Sequence, residues 1–227
     1  MSRPTYNHLP TNLKNRYVIA RHGFSLANNA GLICSDPAIA IPEAEGPLGT
    51  GWGLHDRGKE QVKASASLLV KHLTSKGSPL TDESIVIFCS PFLRTRQTAE
   101  IFRSTLNETL SLNIAPATPN LSLRERFYGD YDMKSDENYK TCWADDATGP
   151  DHGEHSSSGV ESPSSVCDRT TQFILDEIEN KVQGKVVLLV AHGDVCQIMQ
   201  TAFLSMEAYR HREVEHVETA SWREMEA

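Results

Sequence analysis

Three short runs of apolar residues stand out along the chain, and each is followed by residues with helical spacing. The runs cover residues 17–20, 85–88 and 186–190 and are rich in β-branched and other apolar side chains. Each has the length and composition of a buried strand. Strands that alternate with helices indicate an α/β domain with a mostly parallel sheet, in which ligands bind at the carboxyl ends of the strands.

Apolar residues at helical spacing predict the helices that connect these strands. One helix is predicted to begin at Asp56, which is a plausible N-cap, and to end before residues 77–79. Another is predicted to begin with Ser90 as N-cap and Pro91 at its first position, and to reach about Leu106. Three further helices are predicted, at residues 26–30, 162–184 and 194–204.

The remaining segments are predicted to be loops or tails around a single domain. Residues 1–15 are polar, contain two prolines and are interpreted as a flexible N-terminal arm, so that residues 16–227 form the domain. Within it, residues 31–53 and residues 130–160 are interpreted as loop insertions. The last twenty residues are charged, and the pattern leaves open whether they form a helix or a tail.

Composition and charge argue against some classes of binding partner and indicate a cellular location. The chain has 227 residues, of which 39% are hydrophobic and 23% charged, as in an ordinary globular domain. Its formal net charge of -8 argues against nucleic acid or an anionic membrane as a general partner. No apolar run reaches the roughly 20 residues that span a bilayer, and no signal peptide is evident, so a cytoplasmic location is expected. The 5 cysteines form no C-x-x-C pair, which argues against a zinc site or a disulfide framework.

Two of the predicted strands end in a histidine followed by a glycine. His22 follows Arg21 at the end of the first strand, and His192 ends the last strand, so a parallel sheet would bring both imidazoles to one edge. Arg94 lies one helical turn beyond the end of the middle strand. Arginine offers paired donors that match phosphate oxygens, and a neutral imidazole is a competent nucleophile near neutral pH. These residue types predict a site for a phosphoryl group.

Five segments match, in the same order, the motifs of the histidine phosphatase superfamily, and the chain resembles its phosphoglycerate-mutase-like branch. Residues 21–28 resemble the signature R-H-G-x-[ST]-x-x-N. Residues 90–99 resemble S-P-x-x-R-[AT]-x-Q-T-A, and residues 123–129 resemble L-x-E-x-x-x-G. The other two matching segments are residues 54–61 and 190–193. The resemblance extends over residues 16–204.

The resemblance implies both a fold and a mechanism. The fold would be an α/β three-layer sandwich whose mostly parallel central sheet carries helices on both faces. His22 would attack phosphorus and become phosphorylated, while Glu125 would protonate the leaving oxygen and then deprotonate water. Arg21, Arg94 and His192 would hold the phosphoryl oxygens. No metal or other cofactor is expected, because arginine and histidine supply the positive charge.

Other residues of the motifs are predicted to assist substrate binding or to lie outside the site. Ser25, Asn28 and Gly193 are expected to contribute to binding of the substrate. Arg57 and Arg96 are interpreted as surface residues or as residues behind the site. The histidines without a motif are interpreted as ordinary surface residues: His55, His152, His155, His211 and His216. The pair at 152 and 155 lacks the helical spacing of a metal site.

Three activities stay open, of which hydrolysis of a small phosphorylated substrate is favoured. Phosphoglycerate mutases continue past the glutamate motif into basic residues that grip a second phosphate, whereas residues 130–137 here are mostly acidic. A mutase-type phosphotransferase is therefore the alternative. A non-catalytic module that binds a phosphorylated ligand is the third, although the presence of all five predicted catalytic residues weighs against it. Asp194 departs from the family pattern and is expected to place a negative charge near the phosphate.

Overall fold

A five-stranded sheet forms the centre of the molecule, in a computed structural model that describes residues 8–42, 52–77, 79–149 and 158–225. The strands are β1 (Arg16–Arg21), β2 (Ile85–Cys89), β3 (Thr118–Pro119), β4 (Val186–Ala191) and β5 (Trp222–Met225). Their order across the sheet is β3-β2-β4-β1-β5, and β5 alone among these strands runs antiparallel to its neighbour. The predicted mostly parallel sheet is confirmed, and two edge strands are added to the three that the sequence predicts.

Helices cover both faces of this sheet, which confirms the predicted three-layer α/β fold. The α-helices are α1 (Leu26–Ala30), α2 (Pro37–Ala40), α3 (Asp56–Ser75), α4 (Leu93–Leu110), α5 (Asn138–Asp146), α6 (Pro163–Phe173) and α7 (Gly193–Phe203). A π-helical segment, Ile174–Glu179, continues α6, and 3₁₀ turns cover Leu121–Leu123, Gly129–Tyr131 and Ala208–Glu213. Within the described ranges, no helix combines the length and the apolar character that crossing a bilayer requires.

The alternation of side chains along the strands divides the core into two layers. In β1, Tyr17 and Ile19 pack with α6 and α7, whereas Val18 and Ala20 pack with α3 and α4. Strand β4 is buried along its whole length, because successive side chains point to opposite, helix-covered faces. This is the reason that β1 and β4 read as continuous apolar runs.

Two helices begin differently from the prediction. The N-cap of α3 is His55 rather than Asp56, and its Nδ1 accepts a hydrogen bond from the backbone N–H of Arg57 at 3.2 Å. Helix α4 begins at Leu93 after Phe92, so Ser90 is not its N-cap. Ser90 follows the end of β2 at the carboxyl edge of the sheet, and Pro91 and Phe92 separate it from the first residue of α4. By contrast, α6 begins at Pro163, close to the predicted start at residue 162, and Ser162 is its N-cap.

Residues 8–15, which belong to the predicted flexible arm, make several contacts with the domain. Leu9 is buried in the core, and its N–H donates to the carbonyl of Ala202 at 3.0 Å. The side-chain amide of Asn15 donates to the buried carboxylate of Glu179 at 2.7 Å. Residues 1–7 lie outside the described part of the chain.

The predicted loop insertions and tail contain regular structure. Helix α2 lies in the first predicted loop, and residues 43–51 of that loop lie outside the described residues. Helix α5 lies in the second predicted loop. Residues 150–157 of that loop, which include His152 and His155, are outside the described residues. The charged C-terminal stretch forms a 3₁₀ turn and then β5, which pairs with β1.

Candidate active site

A cavity of about 120 Å³ opens where the carboxyl ends of the parallel strands meet. The strand register sets Arg21 beside Ala191 and Cys89 beside Val190, so the residues that follow β1, β2 and β4 are brought together. Most of the predicted site residues line this cavity: Arg21, His22, Ser25, Asn28, Arg94, Glu125 and Gly193. The remaining one, His192, lies directly behind them.

The imidazole of His22 is buried and has one nitrogen set for nucleophilic attack. Its Nδ1 lies 2.7 Å from the carbonyl oxygen of Gly23, so Nδ1 carries the hydrogen and donates it. Nε2 therefore keeps its lone pair and accepts a hydrogen bond from Nε of Arg94 at 3.1 Å. Burial, followed by the charges of Arg94 and Arg21, lowers the pKa of His22 well below its ordinary value. The ring is thus neutral and nucleophilic at physiological pH.

Two arginines bring unpartnered donors to the site. Arg94 is buried on the first turn of α4, and its Nη2 donates to the carbonyl of Cys34 at 2.9 Å. Its Nη1 is buried without a hydrogen-bond partner among the described residues, and the same holds for Nε of Arg21. A buried donor that lacks a partner costs free energy unless a ligand satisfies it. Both groups therefore suit an anion that enters the cavity.

Ser90 contacts one ring nitrogen of His192. The Oγ of Ser90 accepts from the N–H of Phe92 at 3.3 Å and lies 2.9 Å from Nε2 of His192. In the tautomer in which this hydroxyl donates to Nε2, the hydrogen of the ring is on Nδ1, which has no hydrogen-bond partner among the described residues. Burial, with the charge of Arg94, lowers the pKa of His192 well below its ordinary value. The neutral ring offers one more donor to an anion.

The carboxyl group of Glu125 is buried next to these donors. Its Oε2 lies 3.5 Å from Nδ1 of His192 and 3.7 Å from Nη2 of Arg94, and Oε1 accepts from the N–H of Arg126 at 3.0 Å. Burial raises the pKa of Glu125 to about 7, against the opposing charge of Arg94. A carboxyl group with this pKa exchanges a proton near neutrality, as a general acid and base must.

An ion-paired clamp fixes the backbone on both sides of Glu125. The carboxylate of Glu161 accepts from Nε of Arg169 at 2.9 Å, from Arg124 at 3.0 Å and from the N–H of Phe127 at 3.2 Å. Arg169 also donates to the carbonyl of Glu125 at 3.4 Å. The clamp therefore fixes the position of the carboxyl group relative to the two histidines.

Ser25 and Asn28 lie at the cavity, but most of their polar atoms are used in a helix cap. Ser25 is the N-cap of α1 and accepts from the N–H of Asn28, whose Oδ1 accepts from both N–H and Oγ of Ser25. In this reciprocal capping box the oxygen of the Asn28 amide is occupied. Its NH₂ group is the part of the pair best placed to serve as a donor to a ligand.

The glycines after the two histidines have structural reasons other than approach to the ligand. A Cβ on Gly23 would lie 2.7 Å from the carbonyl oxygen of Gly58 at the start of α3. A Cβ on Gly193 would lie 3.2 Å from Cζ of Arg21. The first glycine thus allows a helix to approach β1 closely, and the second leaves room for the guanidinium group of Arg21.

Asp194 lines the cavity, and its carboxylate is paired with neighbouring donors. Its carboxylate accepts from the hydroxyl of Tyr128 and from Nε1 of Trp143 at 2.9 Å, and it lies 3.4 Å from Nη1 of Arg126. Although burial opposes this, the charges of His211 and Arg126 hold the pKa of Asp194 below its ordinary value. Asp194 therefore brings a negative charge to the cavity, as expected, and these partners offset part of it.

Two histidines predicted to lie on the surface are structural parts of the site region, so that prediction is wrong for both. His211 is fully buried, and its Nε2 lies 3.0 Å from the carboxylate of Asp146. His216 lines the cavity, and its Nε2 lies 2.9 Å from Nη1 of Arg21. No local pattern marks either residue, because both depend on where the C-terminal stretch returns to the sheet. Arg57 and Arg96 are exposed, in keeping with the prediction.

Within the described ranges, one group of side chains has the spacing of a metal site. It consists of His22, Glu125 and His192, whose nitrogen and oxygen atoms lie within 4.8 Å of one another. The positive charges of Arg21 and Arg94 next to them raise the free energy of a bound cation. The same charges lower the free energy of a bound anion, so the set is better suited to a phosphoryl group than to a metal ion.

Comparison with known proteins agrees with the motif order. The family model of the histidine phosphatase superfamily (branch 1) matches residues 17–227. No curated protein matches the sequence significantly.

Solved structures of similar fold include several phosphatases. A mycobacterial glucosyl-3-phosphoglycerate phosphatase is 21% identical with a TM-score of 0.64, over 92% of this chain and 89% of that one. The α-ribazole phosphatase of Shigella flexneri is 22% identical with a TM-score of 0.60, again over 92% and 89%. A phosphoserine phosphatase from Entamoeba histolytica, solved with 3-phosphoglyceric acid, is 17% identical with a TM-score of 0.62 over the same shares. At these identities the likeness establishes the phosphoglycerate-mutase-like fold.

Proposed function

The chain belongs to the histidine phosphatase superfamily, and we propose that it is a metal-independent phosphatase that hydrolyses a phosphomonoester through a phosphohistidine on His22. One observation carries the proposal. The nucleophilic Nε2 of a neutral His22 lies among buried donors of Arg21, Arg94 and His192 that have no partner among the described residues. A dianionic phosphoryl group that enters the cavity would satisfy these donors and bring phosphorus to Nε2 of His22.

In the first step, Nε2 of His22 attacks phosphorus, and the bond from phosphorus to the ester oxygen breaks. The proton of the Glu125 carboxyl group moves to the leaving oxygen, which departs as an alcohol. Arg21, Arg94 and His192 stabilise the charge on the three transferring oxygens. During the step Nδ1 of His22 keeps its hydrogen bond to the carbonyl of Gly23, which stabilises the positive charge that the ring gains.

In the second step, water attacks the phosphohistidine, and the bond from phosphorus to Nε2 breaks. The carboxylate of Glu125 takes a proton from that water, which restores the protonated acid, and inorganic phosphate leaves. Because its pKa is about 7, Glu125 can carry the proton in one half-reaction and release it in the other near neutral pH.

Water is favoured over a second phosphorylated acceptor because of what lines the cavity. Among the described lining residues, the lysine and arginine side chains are those of Arg21 and Arg94, which are both used on the transferring group. A mutase needs further cations to grip a second phosphate. The acidic stretch that follows the glutamate motif supplies no such cation at Asp132. The carboxylate of Asp132 accepts hydrogen bonds from the backbone N–H groups of Ser35 and Asp36 at 2.5 and 3.1 Å.

The test is hydrolysis of an aryl phosphate in the presence of EDTA by the wild type, by His22→Ala and by His8→Ala. His8 is an exposed histidine, so its variant is the matched control. We expect the wild type and His8→Ala to be active with chelator present. We expect His22→Ala to lose at least about a thousandfold in kcat/KM, because the nucleophile is absent.

Trapping with a radiolabelled phosphomonoester separates the alternatives. The proposal expects an acid-labile phosphoprotein in the wild type and none in His22→Ala. Turnover that persists in His22→Ala would disprove the assignment of the nucleophile, and loss of activity with EDTA would disprove metal independence. A wild type that binds phosphate but turns over no ester would indicate a binding module.

A further inference from the structure

The C-terminal stretch carries a histidine to the guanidinium group of Arg21. His216 follows the 3₁₀ turn Ala208–Glu213 and is linked to α7 by Gln197, which is buried. Nη1 of Arg21 donates to Nε2 of His216 at 2.9 Å and to the carbonyl of Val217 at 3.3 Å. These contacts hold Nη1 of Arg21, while its buried Nε has no hydrogen-bond partner among the described residues.

Hydrogen bonds of Gln197 determine which nitrogen of His216 carries the hydrogen. The amide nitrogen of Gln197 donates to the carbonyls of His211 and Val214 at 3.2 and 3.3 Å, so its Oε1 must be the acceptor on the other side. That oxygen accepts from Arg212 and from Nδ1 of His216 at 3.0 Å. Nδ1 of His216 therefore carries the hydrogen, and Nε2 presents a lone pair to Arg21.

We propose that His216 is a positioning residue, whose neutral imidazole orients Arg21 for the phosphoryl oxygens and releases it when protonated. The inference rests on the proposed phosphoryl site. It assigns a role in substrate binding to a residue downstream of every recognised motif. A protonated ring has no lone pair at Nε2, so the hydrogen bond from Arg21 would be replaced by repulsion between two cations.

The charges around His216 favour the neutral ring. From β1 it faces Arg21, from the 3₁₀ turn Arg212 and from α7 Asp194, while Glu218 lies on its own segment. Burial and then the charge of Arg21 lower the pKa of His216 below its ordinary value, although the two carboxylates oppose this. His216 is thus neutral at pH 7 and becomes protonated only as the medium turns acidic.

The experiment measures binding of inorganic sulfate by calorimetry from pH 8 to pH 5, because sulfate keeps one charge state over this range. The variants are His216→Ala, His216→Gln and the surface control His8→Ala. A glutamine oxygen can replace Nε2 as the acceptor for Arg21 but does not titrate. We expect His216→Ala to weaken sulfate binding about ten- to a hundredfold at pH 8, and His216→Gln to stay within about threefold of the wild type.

The pH series distinguishes a positioning role from a merely structural one. The ratio of the wild-type Kd to that of His216→Gln should be constant near pH 8 and should rise as the pH falls, because only the wild type loses the acceptor. A flat ratio, or a His216→Ala variant that binds as the wild type does, would overturn the inference and leave the phosphatase proposal standing. A wild type that neither binds sulfate nor hydrolyses an aryl phosphate would overturn both.

Discussion

Burial sets the protonation states of the site at the scale of single residues. His22 and Glu125 lie in the same dry region, with relative exposures of 3% and 5%. Because burial disfavours charge, the same environment keeps the histidine deprotonated and the carboxyl group protonated at a pH where both would otherwise be partly charged. The fold thus supplies, by excluding water, the two protonation states that the proposed mechanism requires of its nucleophile and its acid.

The proposed role of Glu125 as proton donor predicts a dependence on the leaving group. We expect Glu125→Gln to lose about a hundred- to ten-thousandfold in kcat/KM on an alkyl phosphate, whose alkoxide needs a proton. The loss should be much smaller on an aryl phosphate with an electron-withdrawing ring, whose phenolate leaves without one. Steady-state kinetics on a series of leaving groups measures this as a steeper slope for the variant.

The pH dependence provides the internal control for that series. Phosphorylation needs the protonated form of Glu125, so on alkyl esters the wild-type kcat/KM should fall as the pH rises through about 7. The kcat/KM of Glu125→Gln should not show this fall with rising pH. Equal losses on alkyl and aryl esters would contradict a proton-transfer role and indicate that the substitution acts on binding.

Residues in local motifs could be predicted from the sequence, and residues that reach the site from a distance could not. His22 follows the end of a strand and Arg94 lies at the start of a helix, both of which the apolar pattern marks, and the parallel sheet brings them together. Ser90 was predicted as a helix cap, although its hydroxyl bonds to His192, and His216 was predicted as a surface residue. Their partners lie 102 and 195 residues away in sequence, a separation that no spacing rule detects.

At the scale of elements, a close contact between α3 and the loop after β1 positions the start of the site. Gly58 faces Gly23, and a Cβ on Gly58 would lie 2.0 Å from the backbone oxygen of Phe24. A glycine inside a helix normally costs about 0.5–1 kcal/mol relative to alanine. The close approach therefore outweighs helix propensity at this position.

Gly58→Ala is expected to destabilise the protein by about 1–3 kcal/mol, because the backbone of Phe24 must move, and also to lower kcat/KM. Chemical denaturation measures the free energy of unfolding, and aryl phosphate hydrolysis measures the activity. Ser67→Ala, at an exposed position of the same helix, is the control and should change neither by much. A stabilised Gly58→Ala variant would show that helix propensity prevails and that the contact is loose.

Elements with a strong periodic signal could be predicted, whereas short edge elements could not. Strands β1 and β4 are buried on both faces, β2 is buried on one face and half-buried on the other, and all three read as apolar runs. Strand β3 has two exposed residues, and β5 carries Trp222, Arg223 and Glu224, so their sequences resemble loops. Both are strands because a neighbouring strand offers them hydrogen-bond partners, which is tertiary information.

At the scale of the whole molecule, one buried arginine joins the segment of Glu125 to two helices. The guanidinium group of Arg126 donates to both oxygens of Asp146 at 2.6 and 2.7 Å, and it lies beside Asp194 at 3.4 Å. These carboxylates belong to α5 and to the first turn of α7. Arg126 therefore connects the segment that carries Glu125 to α5 and to the start of α7.

Arg126→Met is expected to lower the free energy of unfolding by about 3–5 kcal/mol, because it leaves buried carboxylates without their main cation. Chemical denaturation at pH 7 is the measurement. Arg96→Met, the same substitution at an exposed position, is the control and should have an effect within about 0.5 kcal/mol. If the two variants lose stability equally, the buried ion pair does not connect these elements as described.

The placement of β5 and His216 has a consequence for the order in which the site matures during translation. When residues up to 204 have left the ribosome, every recognised motif is available to fold, yet β1 still exposes its outer edge and Arg21 has no histidine partner. Domains fold from the N-terminus as they emerge, and an unpaired strand edge favours association with other chains. A segment that is synthesised after all of the motifs thus pairs with this edge of β1 and also brings His216 to Arg21, so during synthesis the hydrogen bond to Arg21 can form only when that edge is about to be covered.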